Sequence, residues 1–168
     1  MALFFARFPW SGVLLYRLYI PEDFTALYAI EEVCFEEPLR FERGYMRRLV
    51  ESAESATWIA EQNGRMTGFA IVEWAHEIGG AVAYIETIEV LPADRGQGVG
   101  QELLARLESS AQAANAGLIW LHVDAENAGA IQLYTSHGYD CEGREEDYYG
   151  PGRAALVYAK QLNSPSAA

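Results

Sequence analysis

The chain has 168 residues, 51% of them apolar and 21% charged, with a formal net charge of -12. That length suits one domain able to bury its own core without disulfide or metal staples. The charge argues against a duplex nucleic-acid binder, which needs a basic face, and suits a cationic partner such as an amine or a basic peptide.

The opening MALFFARFPW is apolar but too short to span a bilayer, and Arg7 interrupts it. It lacks the basic n-region and cleavage site of a signal peptide. Residues 1–13 are therefore expected to form an arm packed on the domain or on a second subunit, in a monomer or homodimer. Cytoplasm is the default location, with no membrane partner. Cys34 and Cys141 have neither CxxC nor Cys/His ligand spacing, so no disulfide framework and no metal site is expected.

GVLLYRLYI, from Gly12 to Ile20, is rich in β-formers and predicts a first strand. PEDFTALYAIEEVCF opens with Pro21 and two acids, the composition of a first helical turn. Phe24, Leu27, Ile30 and Cys34 then recur at helical spacing. EEPLRFERGYMRRLVES predicts a loop and a second helix. TWIAEQNGRMTGFAIVEW sets two apolar runs around Asn63-Gly64, a favoured hairpin turn. AVAYIETIEV is a further strand alternating through Tyr84, Glu86, Ile88 and Val90. Val99, Leu103 and Leu107 form one helix face that ends near Asn115-Ala116-Gly117. LIWLHVD is a short apolar run, expected to be a central strand covered on both sides. ENAGAIQLYTSHGY predicts a helix stopped at Gly138, and two strands follow near residues 140–145 and 154–162. The order β-α-α-β-β-β-α-β-α-β-β predicts one α+β domain over residues 14–162, a mixed sheet with helices on its faces. NSPSAA, residues 163–168, is expected to be a disordered tail.

Between the strand ending at Val90 and the next helix, Gly96, Gly98 and Gly100 occupy alternate positions. A Rossmann fingerprint fails, because counting on from Gly96 and Gly98 its last glycine falls on Gln101. A Walker loop fails for want of a lysine. Two readings stay open: an anion site on a helix N-terminus, or a tight turn that only packs.

Arg95-Gly96-Gln97-Gly98-Val99-Gly100 resembles the [QR]-x-x-G-x-[GA] motif of the GNAT acetyltransferase superfamily. The preceding strand, the leucine-rich helix and NAGAIQLYTSHGY resemble the same family, over roughly residues 14 to 162. The resemblance implies the GNAT fold, a mixed and mostly antiparallel sheet with helices on both faces. It implies that the loop backbone from Arg95 through Gly96, Gln97, Gly98, Val99 and Gly100 binds the pyrophosphate of acetyl-CoA, with Arg95 adding charge. It further implies that the strand splays from its neighbour, so that main-chain groups of Ile88 and Val90 hold the pantetheine arm.

Direct acetyl transfer needs a base for the amine, stabilisation of an oxyanion and a proton for the leaving thiolate. Of three histidines, His76 in WAHEIGG reads as a solvated hairpin loop, and His137 suits a helix C-terminus. His122 interrupts an apolar strand near its end; it is either a hydrogen-bonded core residue or a base. LHVDAENAGAIQLY resembles protein N-terminal (Nα) acetyltransferases, of the type that includes the ribosomal-protein-alanine enzymes. That likeness implies His122 and Tyr84 as a water-linked base. It also implies Tyr134 as general acid and Asn127 as a contact to the cofactor arm. Their structural alternatives are a half-buried strand tyrosine, a core aromatic and a helix cap. Glu86, on the Tyr84 face, reads as an alternative base, an ammonium anchor or a paired carboxylate. Tyr148 and Tyr149 resemble the pair that closes over a substrate N-terminus, and Phe35-Glu36-Glu37-Pro38 the opposing wall, where the two acids depart from more apolar relatives.

An α-amine of pKa about 7.8 is partly neutral at pH 7, whereas lysine, near 10.4, is less than about 0.1% neutral. The resulting expectation is acetyl-CoA-dependent acetylation of a protein or peptide N-terminal α-amine. Acetylation of a polyamine, amino acid or aminoglycoside is one rival, and a non-catalytic acyl-CoA sensor is another.

Overall fold

The computed structural model describes residues 12–162. The expected tail, 163–168, and residues 1–11 of the expected arm, 1–13, lie outside the described residues. The strands are β1 (Leu14–Leu18), β2 (Ser55–Gln62), β3 (Arg65–Glu77), β4 (Gly80–Val90), β5 (Ala116–Asp124), β6 (Asp140–Glu145) and β7 (Ala155–Gln161). The helices are α1 (Phe24–Cys34), α2 (Arg43–Glu51), α3 (Val99–Ala113) and α4 (Ala128–Ser136). The element order matches the sequence expectation. Pro21–Asp23 forms a separate 3-10 turn before α1. Asn63 and Gly64, with φ 54 and 72, make the tight turn between β2 and β3.

The seven strands form one sheet in the order β1-β2-β3-β4-β5-β7-β6. Every neighbouring pair is antiparallel except β4 and β5. Each face is buried by a helix layer. On one face Leu103, Leu104, Leu107 and Ala111 of α3 pack with Ala70, Val72, Ile85, Ile119 and Leu121. On the other, Phe24, Leu27 and Ile30 of α1 and Met46 and Leu49 of α2 pack on Ile59, Phe69 and Ile71. Cys34, expected on the buried face of α1, is only half-buried.

The expectation for β5 needs correction. Ile119, Leu121 and Val123 are buried, but Leu118, Trp120, His122 and Asp124 on the alternate face are only partly covered. The strand covered on both sides is β3, buried continuously from Thr67 to Val72. The cause is helix placement: α1 packs on β3 and β4, and α2 on β2 and β3, so neither reaches β5. The second face of β5 is left for side chains that do other work.

Two irregularities shape the centre of the sheet. The β4–β5 ladder runs only from Ala81 to Tyr84 against Ala116 to Trp120, and the strands then part. Just beyond, Val72 pairs with Ile85 and Ile71 with Thr87, leaving Glu86 as an extra residue in a β-bulge. Among the described residues no helix is long and apolar enough to cross a membrane.

Leu104 is fully buried between α3 and the sheet. Leu104→Ala is expected to cost about 3 kcal/mol, read as a lower urea midpoint with an unchanged denaturant slope; a loss below about 1 kcal/mol would show a layer able to collapse around the gap.

Candidate active site

The cleft begins where β4 and β5 part. The Leu91 N–H bonds the Thr67 carbonyl of β3. By antiparallel alternation Glu89 then faces β3, while the main-chain groups of Ile88 and Val90 turn toward the gap. The Val90 carbonyl accepts Nε–H of Arg95 at 2.9 Å, so that acceptor is already engaged within the chain.

Past Val90 a 3-10 turn over Pro92–Asp94 is pinned by Arg65, 3.0 Å from the buried Asp94 carboxylate. The three glycines then do different things. Gly96 and Gly98 have φ of 77 and 80, and Gly98 is the left-handed N-cap of α3, with no side chain capping it. A Cβ at either would meet nothing within 4 Å, so both border open space and are glycine for their backbone conformation. Gly100 lies inside α3, where a Cβ would make an ordinary 3.7 Å contact with Leu133 of α4.

Gly96, Gly98, Val99, Gly100 and Arg95 line one lobe of the cleft, which runs past Ile88, Val90 and Asn127 to Tyr134. The Gln97 side of the loop does not line it. From Tyr134 a second lobe of about 450 Å³ continues to Glu86, His122 and Tyr149. A third opens outward between Leu39, Phe41, Tyr45, Trp120 and Tyr148. Tyr134 lines the first two lobes, and His122 the last two. Burial, with a smaller contribution from Tyr149, pushes the Tyr134 phenol well above its ordinary range, so it stays protonated. Asn127 lines the cleft and also caps α4, its Oδ1 accepting Ala130 N–H at 3.1 Å; both of its readings coexist.

Tyr84, on the last paired rung of β4 and β5, meets His122 two residues beyond that rung, with Tyr84 Oη 2.9 Å from His122 Nδ1. Burial, and next the neighbouring Tyr148, push the Tyr84 phenol far up, so it stays protonated and is able to donate to Nδ1 in the tautomer that carries its hydrogen on Nε2. Nε2 lies 3.3 Å from Glu145 Oε1 but out of alignment, which leaves a buried nitrogen without a hydrogen-bond partner. The Tyr148 ring stacks on His122 at 4.2 Å, and Trp120 meets it edge-on at 5.3 Å. Tyr149 packs against Tyr148 at 4.8 Å. Arg153, bonded to Asp124 at 2.7 Å, tethers this β6–β7 loop to the end of β5.

Glu86, the bulge residue, receives Tyr45 Oη–H at 3.3 Å and adjoins Glu73 of β3. Burial, and then Glu73, push its carboxyl up to about 7. Phe35 lines the cleft as expected, but Glu36 and Glu37 are exposed and outside every lobe. The acids that line the last two lobes are Glu86, Asp124 and Glu126; Glu73 stands beside Glu86 without lining either. His76 lies at the end of β3 rather than in a loop, exposed, 3.1 Å from Glu54. His137 accepts its structural reading, with Nδ1 2.7 Å from the Leu133 carbonyl at the end of α4. Among the described residues no group of three His, Cys, Asp or Glu could hold a metal ion.

A profile of the Acetyltransferase (GNAT) family matches residues 24–139. The chain belongs to the GNAT acetyltransferase family. The streptothricin acetyltransferase of Streptomyces lavendulae is 35% identical over 119 residues, 68% of this chain and 60% of that protein. The N-terminal acetyltransferase A catalytic subunit NAA10 of Arabidopsis thaliana is 27% identical over 144 residues, 84% of this chain and 74% of that one. In structure, the ribosomal-protein-S18-alanine N-acetyltransferase of Escherichia coli superposes with a TM-score of 0.80 at 24% identity, covering 92% of this chain and 97% of that one. The GNAT fold expected from the glycine motif is the fold observed.

Several GNAT cleft residues had no sequence signal of their own. Trp120 is one residue of the apolar run LIWLHVD, and Tyr45 belongs to an element remote in sequence. Glu145 of β6 comes within 3.3 Å of His122 although β7 lies between β6 and β5, with Ala155 paired to Glu145 on one side and Asp124 on the other.

Gly98→Ala is expected to lose about 1–2 kcal/mol through its left-handed backbone, while Gly100→Ala keeps or slightly gains stability; equal losses in thermal unfolding would refute the distinction. The raised Glu86 carboxyl carries a second consequence. Between about 4.5 and about 7 the folded chain holds a proton that the unfolded chain has released, so stability falls as pH rises through that window and levels off above it. Glu86→Gln removes that slope, and its urea midpoint should gain on the parent's between about pH 5 and about pH 8. A constant difference at both would show an ordinary carboxylate.

Proposed function

We propose that the chain moves an acetyl group from acetyl-CoA to a primary amine by direct attack in a ternary complex, the preferred acceptor being a protein or peptide N-terminal α-amine. The observation that carries this reading is a cleft running through the sheet, with Tyr134 at its middle and the Tyr84–His122 pair beyond. The residues fit acetyl-CoA. An uncapped helix N-terminus, open space over Gly96 and Gly98 and the Arg95 guanidinium suit a diphosphate. The parted strand at Ile88 suits an extended arm. When bound, acetyl-CoA supplies the thioester.

The chain's own residues then divide the proton work. Tyr84 Oη takes the amine proton, directly or through one water, as its own proton passes to His122 Nδ1. The resulting imidazolium keeps its Nε2–H toward Glu145, whose charge offsets the new cation. Tyr134 holds the proton a leaving thiolate needs. As the amine nitrogen bonds the carbonyl carbon and the carbon–sulfur bond breaks, one proton is taken up at His122 and one released from Tyr134. Tyr148 and Tyr149 wall the acceptor lobe against water.

The likeness to streptothricin acetyltransferase favours a second reading, acetylation of a small amine. The distinction is measured by thiol release with three acceptors: free α-amine peptides, the same peptides α-blocked with an internal lysine, and polyamines. Release with free α-amines alone supports the N-terminal reading, and release with polyamines alone moves the function to small molecules. His122→Ala and Tyr134→Phe are each expected to lower kcat by about 10²–10⁴ while acetyl-CoA binding, followed by calorimetry, persists. Unaltered turnover in His122→Ala would pass the base role to Glu86. Tight acetyl-CoA binding with no release from any acceptor would leave a sensor as the better account.

A further inference from the structure

The part of β4 that faces the cleft is paired along one edge only. Beyond Tyr84 it has no β5 partner, and the bulge at Glu86 interrupts its ladder with β3. What else fixes it is α1, which packs across it. Thr87 and Glu89 of β4 and Glu31 of α1 are all buried, and Glu31 is the hydrogen-bonding neighbour of Glu89. Each carboxyl has one oxygen engaged by a donor. Thr87 Oγ1–H donates to Glu89 Oε1 at 2.8 Å, and the Phe41 N–H donates to Glu31 Oε1 at 2.7 Å. The second oxygen of each is buried and meets no donor.

Two adjacent carboxyls shielded from water do not both ionise. Burial, and then Glu31, push the Glu89 carboxyl well above the ordinary range. The cation that acts on Glu89 is Arg95, but its Nε–H is given to the Val90 carbonyl and another nitrogen stands 3.9 Å from Cys34 Sγ. Cys34, on α1, adds no charge, since burial and then Glu89 push its thiol up to about 11. One proton between the two carboxyls supplies the donor that both second oxygens lack.

Both ends of this chain of bonds reach the cleft. Phe41 lines the second and third lobes, and α1 fixes its main chain twice, because its carbonyl also accepts Tyr28 Oη–H at 2.9 Å. Thr87 lines the second lobe, and Ile88, between Thr87 and Glu89, lines the first two.

We propose that Glu31 and Glu89 share one proton and act together as positioning residues, locking the Phe41 wall of the acceptor side to the β4 segment that receives the donor. The inference rests on the acetyl-transfer reading above and adds the residues that set the spacing between acceptor wall and donor strand. Neither carboxyl takes part in the proton transfers; both act through Phe41 and Ile88.

The shared proton is read by infrared difference spectroscopy at about pH 8, where most of the Glu86 carboxyl is ionised. The parent should show the C=O stretch of a buried protonated carboxyl. Glu89→Gln and Glu31→Gln should each lose it, because the amide supplies the donor and the remaining partner ionises. A parent without the band, or a band that survives in Glu31→Gln, overturns the proposal.

Positioning is read by hydrogen exchange at the Phe41 amide and by thiol release. Glu89→Gln keeps a donor and should hold Phe41 protection and acceptor KM within about twofold of the parent. Glu89→Leu strands Glu31 and should speed Phe41 exchange and raise acceptor KM about tenfold or more, with kcat and calorimetric acetyl-CoA affinity changed less than about threefold. If Glu89→Leu does not fold, Thr87→Val cuts the other end of the chain at nearly constant size and should change both readings in the same direction. Parent-like exchange and KM in that variant, or a Glu89→Gln protein as impaired as Glu89→Leu, overturns the proposal. If no acceptor is acetylated, the acetyl-transfer reading fails, and the infrared band with Phe41 exchange decides the inference alone.

Discussion

The parting of β4 from β5 is the constraint on which the rest of this protein depends. Two parallel strands that stayed paired would close the sheet and bury their main-chain groups in a ladder. Here pairing stops at Tyr84 and Trp120, and the bulge at Glu86 shifts the register of β4 against β3 at the next step. Main-chain groups of Ile88 and Val90 are then turned into a gap, and side chains from both strands converge on it. A packed α3 layer keeps the opening from collapsing, because Ile85, Ile119 and Leu121 are held on it from the other face.

The cleft joins two environments of opposite sign within a chain of net charge -12. At one end are a helix N-terminus, a loop of backbone amides and Arg95, all of which favour an anion. At the other, Glu86, Asp124 and Glu126 line the wall, with Arg153 bonded to Asp124. Burial does the remaining tuning. It keeps the Tyr84 and Tyr134 phenols protonated and brings Glu86 close to neutrality, so adjacent groups of unlike acidity share one small volume.

Much of this was legible in the chain because it is local. The alternation of AVAYIETIEV, the 3.6-residue spacing of Val99, Leu103 and Leu107, and Asn63-Gly64 each follow from contacts within a few residues. The spacing of Gly96 and Gly98 belongs with them, since a positive φ before a helix is a property of the turn itself. Tyr84, His122 and Tyr134 were legible only through resemblance to a family. Nothing in their separations of tens of residues says that a phenol lies 2.9 Å from an imidazole.

What the sequence by itself determined is the order of elements, the left-handed turn before α3 and the net charge of the chain, since propensity, periodicity and charge are summed along the chain. Tertiary structure alone decided which carboxylates stand near the cleft. Glu36 and Glu37, part of the expected wall, are exposed and line no lobe, while Glu73 is brought beside Glu86 and Glu145 to 3.3 Å from His122 Nε2. It also decided that β3, not β5, is covered on both faces, because α1 and α2 stop short of β5. The physical reason is common to both. Desolvation and charge–charge distance depend on which strands become neighbours and where a ladder ends, and those are set by packing across the whole sheet.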